Sequence, residues 1–258
     1  MTFNLDKAKR FVDSVDLAGT PRGILSQEAA AEVGEVFDKA KTQAQVVGSG
    51  LFSFSQGVTA EVREAISDSA LLAQLVANKK VSAEEDPISW FKTYGEVLQN
   101  VGWTVQEGTW TDYTTTGVAA EVHEKILEVM TAALGPAPAA LAIITAAMNA
   151  LKGMKPDSSW LTIFSRESQK AKIARFQVGL VEKSTNDDVF VSLLACLIEA
   201  RSVITQVLFF KFKTAEARFK VNGNRVSVNR AALGDLGPMI RNKVRAYQAD
   251  YMSKVLDI

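Results

Sequence analysis

Val189-Phe190-Val191-Ser192-Leu193-Leu194-Ala195-Cys196-Leu197-Ile198 is apolar at nearly every consecutive position. A strand with one wet face alternates apolar and polar residues, whereas a strand apolar on both faces is covered on both sides. The stretch from Val189 to Ala200 therefore reads as a central strand of a sheet, with a buried helix as the competing assignment. Upstream, Ala174, Phe176, Val178 and Leu180 alternate with Arg175 and Gln177, the pattern of a half-buried strand over Lys172 to Val181. Asn186-Asp187-Asp188 supplies the turn between the two. Downstream, Ser202 to Lys213 and Ala217 to Val221 continue the strand pattern. Asn222-Gly223 then reads as a tight turn into Arg225 to Val228. Trp160 to Ser165 is expected as a further strand, and Trp103 to Thr116, rich in Trp, Tyr and Thr, as extended chain.

Before Pro156 the apolar period is that of a helix. Ser26 opens one candidate, with Val33, Val36, Phe37 and Ala40 on its face, and Gly48, Gly50 and Gly57 punctuate a short run, Leu51 to Ser55, in which serine alternates with apolar residues. A second helix follows Thr59, and Pro87 stands at the first turn of a third that carries Trp90, Phe91, Tyr94, Val97, Leu98 and Val101. Val118 to Ala133 is amphipathic, Gly135-Pro136 ends it, and an Ala-rich helix runs from Pro138 to Leu151. The two form an αα-hairpin. Gly237-Pro238 is expected to open a C-terminal helix, 237–256. The reading is one α/β domain of α+β type over residues 1–258: helix-rich through 1–155, strand-rich through 156–230, with an antiparallel-rich central sheet flanked by helices.

Composition narrows the chemistry. The 29 basic and 29 acidic side chains cancel, which argues against a general nucleic-acid binder, since phosphate contacts need a basic surplus. One cysteine excludes an intrachain disulfide and a cysteine-based zinc site, and one histidine excludes a multi-histidine metal site. No P-loop, dinucleotide fingerprint, EF-hand or zincin motif is present, so neither metal nor nucleotide is expected. The N-terminal stretch is broken by Asp6, Lys7, Lys9, Arg10, Asp13 and Asp16 and reads as no signal peptide. The expected location is cytoplasmic, membrane-associated, or outside the cell by a non-classical route. Two prolines and mostly alanine between Val129 and Leu151 argue against a membrane-spanning helix there.

Few residues carry candidate chemistry, and no catalytic residue stands out. His123, between Val122 and Glu124, reads as a solvated surface histidine. Glu84-Glu85 and Asp187-Asp188 sit where turns and helix ends want polar groups. The aromatics Trp90, Phe91, Tyr94, Trp103, Trp110 and Tyr113 follow core periodicity, with an interfacial belt as the other reading. Cys196 has three readings: a small core hydrophobe, a nucleophile, or the site of a thioester-linked acyl chain. A nucleophile needs a cation, base or helix N-terminus to lower its pKa, and the only charge nearby in sequence is Glu199, which would raise it.

Lys125-Ile-Leu-Glu-Val-Met-Thr-Ala-Ala-Leu-Gly135, followed by a second apolar helix, resembles the helical hairpin of the Cyt-type cytolysins. Trp160-Leu-Thr-Ile-Phe164, the strand around Cys196, and Gln206-Val-Leu-Phe-Phe210 fall in that family's strand order, with Lys211 and Lys213 interrupting the last. The whole layout is also similar to the Erwinia virulence factor (Evf) type. That resemblance implies a sheet flanked by helices, palmitate carried as a thioester on a buried cysteine, for which Cys196 is the one position here, and contact with lipid or membrane and a host-cell target. It implies a virulence or toxin role without catalysis. An acyl-transfer enzyme holding the acyl group transiently on Cys196 is the alternative, and a soluble binding or scaffold protein is the third.

Overall fold

The computed structural model describes residues 3–19, 37–106, 108–113, 120–134, 138–201, 203–204, 211–212 and 217–258. Its elements in chain order are α1 Leu5–Ser14, β1 Gln43–Val47, β2 Gly50–Phe54, α2 Ala60–Lys80, α3 Pro87–Asn100, β3 Thr111–Tyr113, β4 Ala120–Glu121, α4 Val122–Leu134, α5 Pro138–Gly153, α6 Ser159–Ser168, β5 Gln169–Lys170, β6 Ile173–Lys183, β7 Val189–Ala200, β8 Lys211–Phe212, β9 Ala217–Val228, α7 Arg230–Tyr251 and β10 Leu256–Asp257.

The main sheet runs β10-β1-β2-β6-β7-β9-β3, with β5 on the edge of β6, and a two-stranded ribbon pairs β4 with β8. Pairings are antiparallel except β2 with β6, which run parallel. The fold is a mixed α/β domain with helices on both faces. Strand alternation divides the core. Phe52, Phe54, Val181, Val191, Leu193 and Val226 pack under α1, α2, α3 and α7. Leu51, Phe176, Val178, Leu194, Cys196 and Val221 pack under α4, α5 and α6. The αα-hairpin is α4 with α5.

β7 is central, as its two apolar faces predict, flanked by β6 and β9 along its whole length. β6 differs from expectation in one respect: Arg175 and Gln177 are buried along with Phe176 between them, because helices cover that face too.

Four local expectations are corrected. Trp160 to Ser165 is helical: Ser158 accepts a hydrogen bond from the Leu161 N–H, and Trp160, Ile163 and Phe164, spaced three and four apart, share the buried side of α6. Asn222-Gly223 is no turn but lies mid-way along β9, where Ala195 opposes Asn222 and Leu194 opposes Gly223. A ladder of that length outweighs a two-residue turn preference. α7 begins at Arg230, because Asn229 caps it through the Ala232 N–H at 3.0 Å; Pro238 lies inside, and Leu233, Leu236, Ile240 and Val244 keep one buried stripe across it. In the helix-rich part, β1 and β2 form a hairpin whose turn needs glycine, since Gly48 has φ +52°. Among the described residues of the stretch 103–116, Thr111–Tyr113 is the one strand. The helix expected after Ser26, Gly135-Pro136, Gln206 to Phe210 and Lys213 lie largely or wholly outside the described residues, as do the side chains of His123 and Lys211.

Candidate functional site

Cys196 sits in the middle of β7, opposite Phe176 on β6 and Val221 on β9, and its side chain faces the α4–α5–α6 layer with no exposed surface. Burial pushes its thiol well above the ordinary thiol range. Glu199, three residues along, points to the other face by strand alternation and pairs with Lys220 at 3.5 Å. The group around Cys196 is apolar: Ile126, Met130, Ile144 and Met148 of the hairpin share its cluster. Among the described residues nothing in that setting generates a thiolate.

The other face of the same three strands is chemically different. Gln177, Ala195 and Asn222 form one cross-strand row over β6, β7 and β9, and Gly179, Leu193 and Asn224 form the next. Above these rows stand α3 and the segment after it, which hydrogen-bonds to β9 at both ends. Thr104 N–H donates to the Ser227 carbonyl at 3.0 Å, and Asn222 Nδ2 donates to the Gly108 carbonyl at 2.9 Å. Between roof and sheet lies a cavity of about 340 Å³, walled by Phe91, Tyr94, Leu98, Val105 and Trp110 and floored by Gln177, Leu193, Ala195, Asn222 and Asn224.

Beside the cavity runs a buried polar network. Gln74 Oε1 accepts the Ser49 N–H at 2.9 Å while Gln74 Nε2 donates to the Val47 carbonyl at 2.8 Å. Arg175 donates to Asn78 Oδ1 at 2.9 Å and to Ser49 Oγ at 3.2 Å, and its guanidinium lies 3.6 Å over the Trp90 ring. Burial lowers the Arg175 pKa to about 9, against a partly opposing pull from Glu167. Trp90 Nε1 donates to Asn78 Oδ1 at 2.7 Å and its ring stacks on Tyr94.

No protein-family model matches the sequence, and no curated protein matches it. Among solved structures, a delta-endotoxin aligns with a TM-score of 0.40 and 11% identity, over 69% of this chain and 79% of its own. The Evf virulence factor aligns with a TM-score of 0.31 and 13% identity, over 89% of this chain and 91% of its own. These two structural neighbours are a toxin and a virulence factor.

The remaining candidates scatter. Glu84 and Glu85 are exposed, Glu84 within 3.6 Å of Lys170; Asp187 and Asp188 are exposed too, and Asp187 pairs with Lys183 at 2.7 Å and Arg230 at 3.6 Å. Glu84 and Asp187 are thus members of surface ion pairs. Trp90, Phe91, Tyr94 and Trp103 are buried, while Trp110 and Tyr113 are half-buried; Phe91, Tyr94 and Trp110 wall the cavity. Among the described residues no helix is long and apolar enough to cross a membrane, and no three His, Cys, Asp or Glu side chains are grouped to share a metal ion. Sequence reasoning missed Gln177, Asn222 and Asn224. Their signal was present: an Asn-Gly-Asn run within a strand marks a place where another backbone or a ligand comes close.

Proposed function

We propose that this chain is a non-enzymatic protein of virulence or toxin type that carries a fatty acyl chain, palmitate, as a thioester on Cys196 and associates with membranes. The observation that supports it is the setting of the single thiol: wholly buried, at the centre of the sheet, facing an apolar layer of helices. An acyl chain suits such surroundings, because each methylene kept from water contributes about 0.8 kcal/mol. Met130 and Met148, unbranched and adaptable, are the residues best able to repack around it. The sequence resemblance to the Evf and Cyt types points the same way. With 29 charges of each sign, membrane contact would rest on apolar surface rather than bulk attraction to anionic lipid.

The acyl-transfer alternative has less to support it. A transient acyl carrier needs a thiolate at each turnover, and the raised Cys196 pKa in an apolar shell opposes one.

Intact mass of protein from its native host, before and after neutral hydroxylamine, tests the reading. A hydroxylamine-labile mass increment of one palmitoyl group per chain, absent in Cys196→Ser, is the expected result. A bare-chain mass sinks the acylation, and failure to release dye from liposomes at any pH or lipid composition sinks the membrane attack. Turnover of acyl donors that is lost in Cys196→Ser would establish the enzyme instead.

A further inference from the structure

The cavity on the face opposite Cys196 has the features of a binding site rather than of a packing fault. Its floor and roof are locked together: Asn224 Nδ2 donates to Asn222 Oδ1 at 3.0 Å, and Asn222 Nδ2 donates to the Gly108 carbonyl at 2.9 Å. A Cβ at Gly108 would stand 2.2 Å from Asn222 Oδ1, so the roof reaches the floor only because residue 108 is glycine. Those bonds tie floor to roof and use one donor of each amide.

Two other polar groups on the cavity wall are not used up. Among the described residues, the hydroxyl of Tyr94, a residue 3% exposed, and Nε2 of Gln177, a residue wholly buried, have no hydrogen-bond partner. Burying such a group unpaired costs about 1–3 kcal/mol, and buried polar groups are paired in the great majority of cases. Both stand in one cavity, on elements far apart in sequence, with apolar and aromatic walls around them. A cavity of about 340 Å³, mostly apolar with a few converging polar groups, matches small-molecule sites in size and character.

The chemistry of the wall selects the ligand. Phe91 and Trp110, 5.2 Å apart and tilted at 52°, present ring faces and edges to a flat or cyclic body. A tyrosine hydroxyl gives and accepts a hydrogen bond, and the Gln177 amide offers a donor, or an acceptor with its two ends exchanged about the Ser49 hydroxyl 3.2 Å away. A ligand hydroxyl, itself donor and acceptor, satisfies both in either arrangement. A bare carbonyl or an ether, which only accepts, satisfies both only where Gln177 presents its donor end. Among the described residues no ionised side chain is on the floor to meet a charged ligand; Lys92 and Glu96 lie on the helical wall and oppose one another in sign.

We propose that this cavity binds a neutral, ring-bearing alcohol or phenol, its hydroxyl inward between Tyr94 and Gln177 and its ring against Phe91 and Trp110. The site is separate from Cys196, one residue along β7 on the opposite face, so its success or failure is independent of acylation. Replacing Cys196 by Ser leaves it intact.

The test uses three probes of one shape, 4-methylphenol, p-xylene and p-toluate, titrated into the full-length protein by saturation-transfer NMR. The expected result is saturable binding of 4-methylphenol, with p-xylene and p-toluate each at least about tenfold weaker, the value of one buried hydrogen bond. Tyr94→Phe should weaken 4-methylphenol about five- to tenfold, leave p-xylene unchanged and leave the Tm no lower, because its hydroxyl has no partner to lose. Ala195→Phe fills the floor and should abolish binding of all three; if it does not fold, Tyr94→Phe and Gln177→Leu carry the test. Absence of saturable 4-methylphenol binding, equal binding of p-xylene, or a lowered Tm in Tyr94→Phe overturns the proposal, the last because the hydroxyl would then be satisfied by water alone.

Discussion

Removing Arg241 leaves a buried carboxylate short of its cation, and the cost should depend on pH in a defined direction. Asp68, on α2, is 2% exposed and accepts from Arg241 Nε at 3.0 Å and from Gln248 Nε2 at 2.6 Å; Arg241 also reaches Glu64 at 2.6 Å. Burial raises the Asp68 carboxyl above 3.8, with Arg241 and then Gln248 pulling it back. Breaking a fully buried pair costs about 3–5 kcal/mol. The Arg241 side chain is 42% exposed and Gln248 stays, so we expect about 2–3 kcal/mol for Arg241→Met at pH 7.5. Without Arg241 the folded carboxyl pKa climbs further above the unfolded one. A folded pKa above the unfolded value means the native state holds its proton more tightly. Stability is then greatest below the unfolded pKa and is lost as pH rises through the folded one. The deficit of Arg241→Met should therefore shrink between pH 8 and pH 5, while Asp68→Asn/Arg241→Met recovers most of the loss and is flat over that range. Urea unfolding followed by tryptophan fluorescence at four pH values reads this, with Glu64→Gln as the control for the outer pair. A deficit that is the same at pH 5 and pH 8, and is not recovered in the double variant, would refute the argument.

Three other substitutions probe separate parts of the fold. Gly48→Ala forces a side chain into φ +52° and sets a Cβ 2.3 Å from Gln74 Oε1, so unfolding midpoints should fall by the equivalent of about 1–3 kcal/mol. Gly223→Val, at an exposed mid-strand position, should be neutral or stabilising by up to about 1 kcal/mol in thermal melts, whereas a turn there would make it plainly destabilising. Arg175→Met removes a buried cation while Asn78 keeps Trp90 Nε1 and Ser49 keeps Gln74, so stability at pH 7 should stay within about 1 kcal/mol of the parent. Because the folded state holds the Arg175 proton less tightly than the unfolded one, the parent should gain on this variant above pH 9, and a constant difference up to pH 11 would count against that.

What was legible in the sequence follows from which forces are local. β7 declares itself because both its faces are covered, and the α4–α5 hairpin because proline and glycine bracket it. β1 does not, since two of its five residues, Gln43 and Gln45, are polar; both are buried, Gln43 accepting from Arg63 at 2.7 Å and Gln45 from Ser67 at 2.8 Å. Arg175 and Gln177 misled in the same way on β6. α6 was lost because a five-residue apolar run fits either period, and the Ser158 cap settles it only in three dimensions. Cys196 was found by being the sole thiol. The cavity was not, because Gln177 and Asn222 meet only through strand register and Tyr94 only through the packing of α3 above them, and the one local clue, Asn222-Gly223, carries a stronger turn meaning.

The two faces of the sheet differ in a way that constrains function. On the α2–α3–α7 side, amides and guanidinium groups of Gln43, Gln45, Arg63, Gln74 and Arg175 are buried and bonded in sequence from β1 to β6. Such networks demand particular geometry, since one member left unpaired forfeits its hydration without return. On the Cys196 side, helices with small and flexible side chains close over strands that impose little beyond shape. A rigid polar face suits recognition of a ligand with a defined hydroxyl position; an adaptable apolar face suits a hydrocarbon chain of no fixed conformation. Ala195 and Cys196, adjacent on β7, belong one to each. The ligand site above Ala195 and the thiol below it therefore belong to separate layers, and occupancy of one is read without regard to the other.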